Sequence, residues 1–179
     1  GRTVELFTLQ PDVLDRVQQR AVFIFVDEYQ DINRAQERLI ELLCQNATCL
    51  IVGDPRQCIY QWRGSDPGCF DRFAEKFQAK TIRLDVNRRS GKHIVHLSNL
   101  IARHFPSEEL KKPMQPSRAE EGHTFLVALD TPEDEARWIA EKIRSFVDRG
   151  ICRYNDIAIL LRSVRTSAPP FIDAFKEFG

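Results

Sequence analysis

Two short apolar runs, Val22-Phe23-Ile24-Phe25-Val26 and Thr48-Cys49-Leu50-Ile51-Val52, are dense in β-branched and aromatic residues. Each predicts a strand of a parallel sheet covered on both faces, because such strands read as continuous apolar stretches rather than as alternation. Between them Ala35, Leu39, Leu42 and Leu43 recur at helical spacing, which predicts a helix over 34–45 opened by Asp31 or Asn33. Asp66 to Phe77 predicts a second helix, with Phe70, Phe73, Ala74 and Phe77 on its core face. Ile82, Leu84 and Val86 alternate with Arg83 and Asp85 and predict a third strand. A helix follows with Ile94, Leu97, Ile101 and Phe105, and then 106–122, with its three prolines and no apolar period, reads as a surface connection.

His123 to Leu129 predicts another strand, and Thr131 caps a helix with Pro132 at its first position. Ala136, Ile139, Ala140, Ile143 and Val147 line that helix, and Gly150 ends it. Asp156 to Arg162 predicts a buried strand, and Phe171, Ile172, Phe175 and Phe178 a last helix ending at Gly179. Strands alternating with helices predict an α/β fold with parallel sheets and flanking helices.

Composition narrows this picture only slightly. The chain has 179 residues, 42% hydrophobic and 29% charged, which fits one or two small globular domains. Its 26 basic and 26 acidic side chains cancel, so any nucleic-acid contact has to be local. Cys44, Cys49, Cys58, Cys69 and Cys152 are odd in number with no Cys-x-x-Cys spacing, and read as reduced thiols rather than disulfides or a zinc site. His93 and His96 lack a carboxylate or thiol at ligand spacing, which favours a non-metal role. Lys111, Lys112 and Arg118 read as a solvated charge cluster more readily than as phosphate contacts. Neither a signal peptide nor an apolar run of membrane-spanning length occurs, and the expectation is a cytoplasmic protein, nucleoid-associated or nuclear by source, with no membrane partner.

The chemistry concentrates just after the first two runs. Asp27 and Glu28 follow the first at the carboxyl edge of the sheet, where ligands of open α/β folds bind. Asp27 is placed to hold Mg²⁺ through its waters, and Glu28 to polarise an attacking water, as in a Walker B site. The competing reading is an Asp-Glu pair that only opens a loop or caps a helix. The second run delivers Gly53-Asp54 to the same edge with Gln57 beyond, a neutral amide suited to sensing a γ-phosphate. Tyr60 and Trp62 stand two apart, so on an extended segment both rings face one way, as stacking on unpaired bases requires. Arg63 adds a cation; core packing is the competing reading of the two rings.

Asp27-Glu28-Tyr29-Gln30-Asp31, the run Gly53 to Gly64, Asn87-Arg88-Arg89-Ser90 and the strand at 156–162 resemble, in order and spacing, motifs II, III, IV and IVa of the UvrD/Rep/PcrA family of superfamily 1 DNA helicases. The resemblance implies parts of two RecA-like lobes: 1–86 in the first, a hinge at 87–90, and 91–179 in a truncated second. It also implies a 3′ to 5′ translocase on single-stranded DNA and duplex junctions, fuelled by ATP and Mg²⁺ bound between the lobes. Carried over, Asp27 is the magnesium carboxylate, Glu28 the catalytic base, Gln57 the γ-phosphate sensor and Arg89 the arginine finger. Tyr60 and Trp62 contact the DNA strand, and Arg63 couples that contact to the nucleotide. Arg88 stands where an aromatic residue often stacks on adenine, and a guanidinium plane also stacks on a base. Pro55-Arg56 before Gln57, and Cys58 after it, are closer to helicase subunits of recombination nucleases.

No Gly-x-x-x-x-Gly-Lys-Ser/Thr loop occurs in these residues; Gly91-Lys92 is followed by His93. The expectation is therefore the middle of a longer helicase that needs the remainder of the same polypeptide and does not hydrolyse ATP alone. The alternative is a non-catalytic nucleic-acid-binding or scaffold module derived from helicase lobes. A glycine-rich loop upstream of Gly1 would favour the motor.

Overall fold

The computed structural model describes residues 1–178, which divide into two compact units, Gly1–His123 and the residues from Thr124 onward. It is a mixed helix and strand architecture with two small parallel sheets. In the first unit, helices α1 (Arg2–Leu9) and α2 (Pro11–Arg20) precede strand β1 (Phe23–Val26). A 3₁₀ turn at Tyr29–Asp31 leads into α3 (Arg34–Cys44), and β2 (Thr48–Ile51) then pairs with β1 in parallel, Phe23 opposite Thr48 and Val26 opposite Ile51. Short 3₁₀ turns at Pro55–Gln57 and Gln61–Arg63 precede α4 (Cys69–Phe77).

The α3 boundary follows from its cap: the Asn33 side chain accepts from the Ala35 and Gln36 amides, and Gln36 reaches back to the Asn33 N–H. This reciprocal box satisfies amide groups that a helix start otherwise leaves open. Helix α4 starts at Cys69 rather than Asp66, because the Asp66 carboxylate accepts the Gly68 N–H and turns the chain first. Buried Tyr29, Cys44, Cys69 and Phe73 form the core under the β1–β2 pair, with Ile24, Val26, Ile40, Ile51 and Phe70 against it. Phe7, Leu14 and Leu42 make a second cluster that fastens α1 and α2 onto α3.

Several expectations need correction. The β1–β2 pair is covered on one face only: Ile24, Val26, Cys49 and Ile51 point to the core, whereas Phe23, Phe25 and Leu50 are exposed. Helices α3 and α4 both lie on the inward side, so the other face of the pleat has no cover among the described residues. The third strand shrinks to β3 (Val86–Asn87), and Ile82 and Leu84 are exposed. After α5 (Lys92–Ala102), the stretch 106–122 is not a bare connection. It forms α6 (Glu108–Lys111) and β4 (Gln115–Pro116), and β4 pairs with β3 in parallel. Residues 87–90 themselves lie within the first compact unit. Lys111, Lys112 and Arg118 each pair with a nearby glutamate, in keeping with a solvated charge cluster.

Cys44 and Cys49 form a disulfide, contrary to the reading of all five cysteines as free thiols. A helix-to-strand reversal brings their Cα atoms to 6.0 Å, within bridging range, and a count of spacings along the chain does not reveal it. Cys58, Cys69 and Cys152 are free.

In the second unit α7 (Pro132–Asp148) packs on α9 (Pro169–Phe178) through Ala136, Ala140, Phe171 and Ala174, with α8 (Val164–Ser167) between them in sequence. Thr131 caps α7 by accepting the Asp134 N–H, Pro132 takes the first position, and Gly150 at φ 67° follows the end. Neither 123–129 nor 156–162 forms a regular strand. In the latter, Ile157, Ile159 and Leu161 are half-buried while Ala158 and Leu160 are exposed, so the period of a strand survives without a ladder. The predicted helix end at Gly179 lies outside the described residues. No described helix is long and apolar enough to cross a membrane.

Candidate functional site

The parallel β1–β2 register sets the site, because it brings the loops that follow the two strands side by side. The ladder continues past the carboxyl ends of the two strands: the Val52 N–H donates to Val26 O at 2.8 Å, and the Tyr29 N–H to Val52 O at 3.0 Å. Asp27 and Glu28 therefore leave β1 directly beside Gly53 and Asp54 leaving β2.

Glu28 lies in the left-handed region at φ 51° and ψ 42°. For a residue with a Cβ this costs about 1–2 kcal/mol, which the surroundings have to offset. Two interactions do so. The Glu28 N–H donates to Asp27 Oδ1 at 2.8 Å, and Glu28 Oε2 accepts from Gln30 Nε2 at 2.7 Å. One oxygen of each carboxylate is left without a protein partner, and neither acid is paired with a cation among the described residues.

From Gln30 the hydrogen bonds run on into the second loop. Gln30 Oε1 accepts the Asp54 N–H at 3.0 Å, while Asp54 Oδ1 accepts the Arg56 N–H at 3.0 Å and Asp54 Oδ2 accepts from Gln57 Nε2 at 3.1 Å. Glu28 and Gln57 thus belong to one bonded array. An open depression of about 430 Å³ is lined by Glu28, Gln30, Asp31, Arg56, Gln57, Ile59 and Tyr60, so the candidate base, the candidate phosphate sensor and one of the two rings share it.

Tyr60 and Trp62 are not core residues: 37% and 74% of their surfaces are exposed. Their expected arrangement needs correction, because the segment is not extended. The Arg63 N–H donates to Tyr60 O at 2.8 Å and closes a tight turn that Gly64, at φ 87°, ends. The rings therefore meet edge to face, with centroids 6.3 Å apart and planes at 66°. The Arg63 guanidinium covers both, 4.4 Å from the Trp62 centroid and 5.3 Å from that of Tyr60. A cation at such distances from a ring face is attracted by the ring quadrupole.

Beneath this turn sits an ionic brace that sequence reasoning missed. Glu37, buried on α3, accepts from Arg72 of α4 through both oxygens at 2.7 and 3.1 Å; Arg72 also bonds Asp66 at 2.8 Å, and Arg34 bonds both acids. The hydrogen bonds it donates to Glu37, above all, hold the Arg72 guanidinium in its charged form. An antiparallel bridge between Asn33 and Ser65 ties the same loop to the start of α3. The i,i+3 spacing of Arg34 and Glu37 was visible in sequence; the partnership with Arg72, 35 residues on, was not.

Tyr29 lies fully buried behind the carboxylates, edge-on to Phe70 and Phe73, and its hydroxyl has no partner. Burial, followed by nearby negative charge, pushes its pKa upward. Burial likewise pushes the Cys69 thiol to about 11, so this cysteine is inert.

Asn87 Oδ1 accepts the Arg89 and Ser90 N–H groups at 3.0 and 2.8 Å and folds the loop after β3. Arg118 donates to the Arg89 carbonyl at 3.0 Å. The side chains of Arg88 and Arg89 are exposed, and neither guanidinium makes a hydrogen bond or ion pair among the described residues.

Residues 1–78 match the family model for the UvrD/REP helicase N-terminal domain, and residues 82–177 match that for the UvrD-like helicase C-terminal domain. DNA helicase II of Haemophilus influenzae is 37% identical over 164 residues, covering 90% of this chain and 22% of that protein. The ATP-dependent DNA helicases PcrA of Leuconostoc citreum and of Staphylococcus epidermidis are 34% and 35% identical over 163 residues, again 90% of this chain and 22% of each relative. The chain thus spans 22% of the length of these relatives.

Proposed function

We propose that this chain, which belongs to the UvrD/REP helicase family, is the part of a longer ATP-dependent 3′ to 5′ DNA helicase that joins the hydrolytic carboxylates to the strand-contacting rings. The observation that carries the reading is the continuous array from Glu28 through Gln30 and Asp54 to Gln57, three residues before Tyr60. In this reading the chain contributes parts of two RecA-like lobes, 1–86 and 91–179, joined at 87–90.

The donor set fits a magnesium nucleotide. Mg²⁺ keeps most of its waters and takes few carboxylates, and Asp27 offers one oxygen free of protein partners on an exposed side chain. When bound, the ion would neutralise charge on the phosphates. Asp27 would hold its waters, and Glu28, through its unpartnered oxygen, orients the attacking water and takes its proton. The bond from the γ-phosphorus to the bridging oxygen breaks as the bond to water forms, leaving ADP and phosphate. Gln57 contacts the γ-phosphate with its amide, and the unpaired Arg89 supplies positive charge as that bond opens. Arg88 lies against the base.

Tyr60 and Trp62, exposed and backed by Arg63, hold bases of single-stranded DNA. Stacking is what lets a chain of zero net charge grip a strand. A change at Gln57 reaches them along a few residues of chain, so phosphate state alters grip and alternating grip produces stepping, including at duplex junctions.

The test uses the full-length polypeptide that contains this chain, assayed for ATP hydrolysis with and without single-stranded oligonucleotide. Turnover stimulated by DNA, and absent from residues 1–179 alone, is the expected result. A full-length protein that binds DNA but never turns over ATP would instead establish a scaffold.

A further inference from the structure

Gln30 has no role in the reading above beyond its place in the array, yet it is the most completely committed polar side chain in the site. It is 2% exposed, and both ends of its amide are used. Nε2 donates to the Glu28 carboxylate at 2.7 Å, and Oε1 accepts the Asp54 N–H at 3.0 Å. The amide has a single orientation that satisfies both partners, since a carboxylate only accepts and a backbone N–H only donates.

Gly53 makes room for it. A Cβ at position 53 would stand 2.3 Å from Gln30 Oε1 and 2.9 Å from the Tyr29 nitrogen, so any other residue there displaces the amide or the loop. The residue whose N–H Gln30 receives is also the one whose carboxylate holds Gln57. Glu28, meanwhile, sits in a backbone conformation that does not by itself favour a residue with a side chain.

We propose that Gln30 is a positioning residue that clamps the Glu28 carboxylate to the Gly53–Asp54 turn, so that the water-activating group and the phosphate-sensing Gln57 move as one piece. A neutral amide suits this task. Lysine or arginine at the same place would neutralise the base, whereas an amide fixes one carboxylate oxygen and leaves the other for water. The clamp also shortens the route between the nucleotide and the rings: a displacement of Asp54 is felt at Glu28 through two hydrogen bonds, and one of Gln57 through three, not through the β1–β2 ladder. The inference rests on the ATP-hydrolysing reading of this site.

The test is steady-state ATPase kinetics of the full-length protein carrying Gln30→Met, which fills nearly the same volume and makes neither hydrogen bond. The clamp requires kcat to fall about 10- to 100-fold with KM for ATP changed less than about threefold, because water orientation is lost while nucleotide contacts remain. It also requires the stimulation by single-stranded DNA to shrink. In the Glu28→Gln background the same change should cost little more, since the group it positions is already disabled. Gln30→Glu, closest in shape, replaces the donor with a second carboxylate and should lower kcat at least as far. It carries the test should Gln30→Met fail to fold. Wild-type kcat and DNA stimulation in either folded variant would overturn the clamp, as would losses that multiply in full with Glu28→Gln. A wild-type full-length protein without ATPase activity would remove the functional reading and the clamp with it, an outcome told apart by the control itself.

Discussion

Polar wiring distinguishes the first unit from the second. In the first, two paired strands set their following loops edge to edge, and buried polar groups, Gln30, Glu37 and Ser65, tie those loops to one another and to the helices behind. In the second, α7 and α9 meet through alanines and Phe171, and ion pairs such as Arg137–Glu177 and Lys176–Asp173 lie on exposed side chains. Apolar contact is enough to hold two helices together. Placing a carboxylate within a fraction of an ångström takes directional bonds, and buried ones fix orientation because leaving them unmade is costly. The proposed chemistry thus falls in the polar-wired first unit, and the second is held by apolar packing.

Arg89→Ala should have the largest effect. The full-length protein should lose roughly 10³- to 10⁵-fold in kcat, as when other nucleotidases lose an arginine finger, with little change in unfolding midpoint because the side chain bonds nothing. Loss of stability in step with activity would instead make Arg89 a structural residue.

Phe171→Ala should cost about 3–5 kcal/mol of stability locally, since it empties the α7–α9 contact. Hydrogen exchange should quicken in α7 and α9 and stay unchanged in β1 and β2. Equal quickening in the β1–β2 pair would show that the two units do not differ in this way.

Trp62→Ala should weaken single-strand binding by about 1–3 kcal/mol in a fluorescence-anisotropy titration, without change in the fold, because the ring is exposed. Unaltered binding would confine the edge-to-face pair to a surface ornament of the turn.

The smallest effect concerns acid. The Gly68 N–H, ahead of the Arg72 and Arg34 guanidiniums, holds the Asp66 carboxyl below its usual value. A carboxyl depressed in the folded state contributes stability above its unfolded pKa of about 3.9, and that contribution is lost as pH falls through the lower folded value. Asp66→Asn should therefore flatten the pH dependence of the urea midpoint below about pH 4 and leave the slope at neutral pH alone. An unchanged acid limb would show that the brace contributes nothing through ionisation.

Much of this was legible before folding. The positions of β1, β2, α3, α7 and α9 follow from apolar runs and periodicity, and the Thr131-Pro132 start of α7 from capping chemistry, because these depend on neighbours a few residues away. The candidate carboxylates, Gln57 and the two rings follow the two apolar runs closely enough to be marked for the same local reason, whereas Arg89 is marked only by the resemblance to the helicase family. The Cys44–Cys49 bridge, the β3–β4 pairing across 106–122, the edge-to-face turn of Tyr60 and Trp62 and the bare outer face of β1 were not, since each depends on what stands opposite in space.

Gln30 shows where that line falls. Its letter sits two places after Glu28 and could belong to any loop, and no period or propensity distinguishes it. Only when β2 lies parallel to β1, with a glycine at 53, does its amide find a carboxylate on one side and a backbone N–H on the other. Linear order was enough to supply the reactive groups and the strands that carry them. Their mutual geometry came from a hydrogen bond spanning 24 residues of chain, which exists only once the core beneath it has closed.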